Sequence, residues 1–173
     1  MGSFSSKDAI STLQFRGIGQ KLAHYSGINP VLHEEDIMSS ATRLMAGLIF
    51  ITVPTIQYGG YFLLTSLMDR NSGYMENALR QNFFRAGHAH AGVIVILSLL
   101  AQIFVDAAVL PESIKWMIRI GVPASAILIS AGFFFSMLSA AAQTPGRAVY
   151  LIYMGALILA VSVITLGVGL LKS

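Results

Sequence analysis

Two imidazoles, His88 and His90, stand in the stretch Phe83-Phe84-Arg85-Ala86-Gly87-His88-Ala89-His90-Ala91-Gly92, which runs straight into the apolar segment Val93 to Val105. An ionisable group at the mouth of a membrane helix is costly unless something coordinates it or pairs with it, so these two side chains are the first candidates for a functional site. Residues two apart on a helix point about 200° away from one another, and the pair cannot grip one ion from an unbroken helix. A helical side chain covers the turn before it, which sets His90 over Ala86 and Gly87, and His88 over Phe84 and Arg85. Small residues leave room for a flat macrocycle or a close neighbouring helix. That favours His90 as an axial ligand and gives His88, beside Arg85, a hydrogen-bonding or propionate-side role. The alternative for each histidine is a hydrogen bond between helices, or a ring whose tip reaches the interface.

The remaining donors narrow the chemistry. The chain has no cysteine, so thiolate sites, thioether haem attachment and disulfides are excluded together. Zinc or copper wants three or four protein ligands, and the spans offer only His88, His90 and Asp106 beside neutral polar groups. Asp106 lies 16 residues beyond His90, about 24 Å along one helix. Haem brings four nitrogens of its own and asks for one or two axial ligands, which this sequence can give, and with no cysteine any haem is non-covalent.

The elements that must position these groups are membrane helices. The 173 residues are 55% hydrophobic and 11% charged, with a mean hydropathy of +0.70, whereas soluble domains carry nearer a quarter charged residues. Apolar runs predict an all-α integral membrane protein: a four-transmembrane-helix bundle spanning 41–173, with helices at about 42–68, 84–108, 114–142 and 147–171. Residues 1–40 read as a cytoplasmic segment with a short interfacial helix over Asp8–Tyr25, and their mixed polar character does not suit a cleavable signal peptide. His33-Glu34-Glu35-Asp36 reads as a solvated helix start. Lys7, Arg16, Lys21, Arg43, Lys115, Arg119 and Lys172 fall on one side of the membrane, against Arg70, Arg80, Arg85 and Arg147 on the other. The positive-inside rule then puts both termini in the cytoplasm, in a bacterial cytoplasmic membrane. Scattered in this way, the basic residues form no stripe for nucleic acid.

Further candidates line the helices. Pro54 can kink the first span, and Gln57, Tyr58 and Tyr61 just beyond it suit either an interfacial aromatic belt or a polar pocket lining. The loop Asp69–Phe84 is the longest connection, a solvated connector or a lid. Ser130-Ala131-Gly132 is a tight step before Phe133, Phe134 and Phe135, which read as packing or as the wall of a substrate pocket. Gly155, Gly167 and Gly169 permit close helix approach or oligomer contact.

Two of these stretches resemble styrene oxide isomerase, a small four-helix haem b membrane enzyme. Arg85-Ala86 with Ala89-His90-Ala91-Gly92 is similar to that family's Arg-Ala-His-x-Gly segment, and Ala131-Gly132-Phe133-Phe134-Phe135-Ser136 is similar to its Gly-Phe-Tyr-Phe-Phe-Ser stretch. Helix count and hydrophobic pattern agree over about 130 residues, the specific motifs over fewer than 15. The resemblance implies His90 as axial ligand and a homotrimer with haem near protomer boundaries. It also implies a ferric face acting as Lewis acid on a small apolar epoxide, giving an aldehyde by ring opening and a hydride shift. Phe134 stands where that family has Tyr, and Ile96 where it has Asn. If these positions line the substrate pocket, the polar groups that orient the epoxide must come from Gln57, Tyr58 or Ser130.

Two function classes follow, with a third behind them. An isomerase needs a vacant sixth iron position and an apolar pocket. A haem redox or gas-binding protein needs a second ligand or a closed distal face, which His88 of a neighbouring protomer would provide. A haem-free structural or transport protein is the third.

Overall fold

A computed structural model describes residues 38–172; the expected interfacial helix and the His33–Asp36 cluster lie outside them. The described chain forms four long helices, α1 (Ser40–Met68), α2 (Ala78–Ala107), α3 (Glu112–Ser136) and α4 (Val149–Leu170), with a single 3-10 turn at Arg70–Ser72. Their most apolar stretches have mean hydropathies of 1.4, 1.9, 1.7 and 2.4, and each helix is long enough to cross a bilayer. The protein is an all-α, multi-pass membrane bundle, as its composition requires.

Two helix ends differ from the hydropathy expectation. α2 starts six residues before the expected 84, because Asn77 caps it, its Oδ1 accepting from Arg80 N–H at 3.0 Å. Arg80 and Gln81 are good helix residues but polar, so hydropathy marks where lipid begins and not where the helix does. The histidines therefore sit about three turns inside α2 rather than in its opening turn. α3 ends at Ser136 instead of 142, where Gly146 N–H donates to the Ser136 carbonyl at 2.8 Å and folds the chain back.

The connection after α1 is tied down. Tyr74 is buried and stacks on Phe84 with centroids 6.0 Å apart, and burial pushes its phenol up from the ordinary value. Asn77 Nδ2 donates to the Ala140 and Ala142 carbonyls at 3.0 and 2.8 Å, and Arg80 Nε to Met137 O at 3.1 Å. These bonds lash the start of α2 to the end of α3.

α3 and α4 touch most closely. A Cβ added at Gly132 would lie 2.8 Å from the Ile152 backbone nitrogen, and one at Gly155 2.7 Å from Ile129 Cγ1, so the two helices meet glycine to isoleucine in both directions. This is the small-residue packing that lets membrane helices gain dispersion energy where lipid removes the hydrophobic drive. α1 packs chiefly against α2, and only 6% of its most apolar stretch is buried within the chain, against 39% for α3.

What anchors α1 is polar. Arg119 on α3 is 1% exposed, and its guanidinium donates to Thr42 Oγ1 at 2.7 Å, Gln102 Oε1 at 3.3 Å and Asp106 Oδ1 at 2.5 Å. Thr42 and Ser39, at the start of α1, donate to the Asp106 carboxylate at 2.7 and 3.0 Å. Pro123 explains one further bond. It has no N–H for the Arg119 carbonyl four residues back, and Gln102 Nε2 donates to that carbonyl at 3.1 Å instead. Arg119 is thus an internal group, which corrects its assignment to a membrane boundary and leaves six basic residues against four in the topology count.

In a double-mutant cycle on the detergent-purified protein, Gln102→Leu will cost less in a Pro123→Ala background than in wild type, by about 0.5–1 kcal/mol of coupling, because alanine restores the missing N–H. Equal costs in both backgrounds would refute the substitution of side chain for backbone.

Candidate functional site

His88 and His90 lie on different sides of α2, as their spacing dictates. His90 is exposed, its Nδ1 is 2.7 Å from the Ala86 carbonyl, and its ring lies 5.1 Å centroid to centroid from Phe133 of α3. A carbonyl can only accept, so Nδ1 carries the proton, and in the neutral ring Nε2 keeps its lone pair. A histidine fixed through one nitrogen to a backbone carbonyl, with the other free, is the usual disposition of a metal-ligating imidazole.

His88 is half-buried and points at α1. A Cβ on Gly60 would lie 3.3 Å from its Cε1 and 3.4 Å from its Nε2, and one on Gly59 3.4 Å from its Nδ1, so the ring rests against the bare backbone of Gly59-Gly60. It shares an apolar groove of about 430 Å³ between α1 and α2 with Gln57, Gly92 and Ile96. Arg85 is exposed and donates to Gln81 Oε1 at 3.3 Å.

The other sequence candidates separate. Gly87 is buried, and a Cβ there would come within 3.0 Å of both Phe133 and Phe134, so its missing side chain serves the approach of α3 to α2. Phe134 packs on Phe84 at 5.1 Å, inside the bundle. Ser130 lines a different cavity of about 220 Å³, with Thr52, Thr55 and Ala91, and its buried hydroxyl has no hydrogen-bond partner among the described residues. Tyr58 is 70% exposed on α1, beside Tyr61. Of the three pocket residues, Phe133 therefore stands with His90, Ile96 with His88, and Phe134 with neither.

Sequence reasoning missed the Gly59-Gly60 seat for His88, although two adjacent glycines inside an apolar span were its signal. It also missed the Arg119 cluster, whose signal was a proline four residues beyond an arginine.

Among the described residues no three His, Asp or Glu side chains converge, so no cage for a bare metal ion exists in one chain there. The donor set fits a porphyrin better: one imidazole with a free nitrogen, braced by an aromatic ring and facing outward, meets the demand for a single axial ligand. Fold and site together define a multi-pass helical membrane protein with two imidazoles on opposite sides of one helix. Comparison of the chain with protein-family models, curated proteins and solved structures found no match.

Gly87→Val will force α2 and α3 apart and lower thermal stability in detergent by about 1–3 kcal/mol, whereas His90→Ala, at an exposed position, will change the stability of haem-free protein by less than about 0.5 kcal/mol. A Gly87→Val protein as stable as wild type would show that the two helices do not meet there.

Proposed function

We propose that the chain is a membrane haem b protein with His90 as axial ligand, and that its activity is the isomerisation of a small apolar epoxide to a carbonyl compound. The observation that carries this reading is the Nδ1–H bond of His90 to the Ala86 carbonyl, which leaves Nε2 available on the outer face of α2. When bound, ferric haem supplies a Lewis acid for the epoxide oxygen. The chain's own part is to hold the imidazole against Phe133 and to present an apolar aromatic wall beside it.

A site on an exposed face is incomplete in one chain, which supports haem at a boundary between copies; the number of copies, three, follows the resemblance to styrene oxide isomerase. Tyr58, exposed on the loosely packed α1, is the candidate that a second copy would bring to the epoxide. We place both termini on the cytoplasmic side of a bacterial membrane, following the remaining basic bias. A second reading, haem redox or gas binding without isomerase activity, is favoured by the lack of any hydrogen bond from the His88 ring to the described residues, since that imidazole could serve a neighbour's iron.

Absorption spectra of protein purified from haem-replete cells test the assignment. Wild type will show a Soret band, His90→Ala will lose it, and His88→Ala will keep part of it. Incubation with an aryl epoxide will then give aldehyde if the haem is high-spin and responsive to added ligands. A low-spin haem indifferent to ligands would replace the isomerase with bis-histidine electron transfer. A colourless wild type, or equal haem in all three proteins, would remove His90 as ligand.

A further inference from the structure

The groove between α1 and α2 is built on the side of α2 away from His90 and has a polar end and an apolar end. His88, Gln57, Gly60 and Gly92 lie at one end, and Phe50 and Leu99 close the other. From Phe50 to Gly60 the helix rises about 15 Å, which sets the groove's length.

Neither His88 nor Gln57 makes a hydrogen bond to any described residue, although both sit within membrane-spanning helices on an otherwise apolar surface. Unpartnered polar groups in hydrocarbon are costly, and an imidazole and a carboxamide that line one groove from facing helices are donors left for a ligand to meet. Gly92 leaves the groove open near that same end. A Cβ on Gly92 would meet no atom within 4 Å, so the space beside it is open rather than filled by packing. The walls toward the other end, Val53, Val95 and Ile96, are branched and apolar.

One end with unpartnered polar side chains and another that is wholly apolar suit an oxygen-bearing ring with a hydrocarbon tail. We infer that this groove binds a lipid-soluble quinone, with a ring carbonyl accepting from His88 and Gln57 and the tail running toward Phe50 and Leu99. The groove opens along the lipid-facing side of α1, the least covered helix, so the ligand enters from the bilayer. The inference does not rest on haem at His90: it rests on α1 and on the His88 side of α2.

Binding of tritiated decylbenzoquinone to the full-length protein in lipid nanodiscs, counted over empty nanodiscs, tests it. Wild type will bind saturably, with one site per chain, and excess decanol will not displace the quinone. Gly92→Leu puts a side chain into the groove from a position whose Cβ meets no atom within 4 Å, and will abolish saturable binding while its helical circular dichroism stays intact. Gln57→Leu keeps the space, removes a donor and will weaken binding about fivefold. Binding no greater than to empty nanodiscs, or equal binding by Gly92→Leu and wild type, would overturn the site. Full displacement by decanol would also overturn it, by giving the groove to a plain acyl chain.

Discussion

A bilayer offers no water to a polar group, and the buried guanidinium of Arg119 shows how this chain meets that constraint. Its position is fixed from three helices at once: by Thr42 on α1, by Gln102 and Asp106 on α2, and by the local consequence of Pro123 on its own helix. Proline removes a backbone donor, glutamine replaces it, and the same glutamine receives the arginine. Each group would be a liability alone. Together they form a clamp that joins a poorly packed first helix to a tightly packed bundle.

That clamp has a consequence at the opposite end of the molecule. α1 is held near its start by polar bonds and farther along by His88 resting on Gly59-Gly60, with an apolar groove left between the two points of contact. On the other flank of α2 the glycine-mediated contacts are tight, and Gly87 brings Phe133 up to form a platform for His90. One helix thus carries two imidazoles in contrasting settings, an open groove for one and an aromatic brace for the other.

Much of this was legible in the residues. Four apolar runs correspond to the four helices, and a spacing of two places the histidines on different faces. The start of α2 was not legible from hydropathy, because an asparagine cap and a polar first turn carry the helix out past the lipid. Arg119 reads as a boundary charge in a linear sequence, and only the convergence of Thr42, Gln102 and Asp106 makes it an interior one. Pocket residues chosen along the chain, Ile96, Phe133 and Phe134, dispersed because helical phase and not proximity in sequence decides which cavity a side chain enters.

The proposed function gives the two imidazoles different tasks, with His90 as the iron ligand. The chain has four histidines, so a ¹⁵N spectrum of histidine-labelled protein loaded with ferric haem resolves them directly. The account predicts one imidazole shifted and broadened by the paramagnetic iron, assigned to His90 by mutation, with His88 still diamagnetic in position and line width. Four diamagnetic imidazoles, or the paramagnetic signal on His88, would contradict it.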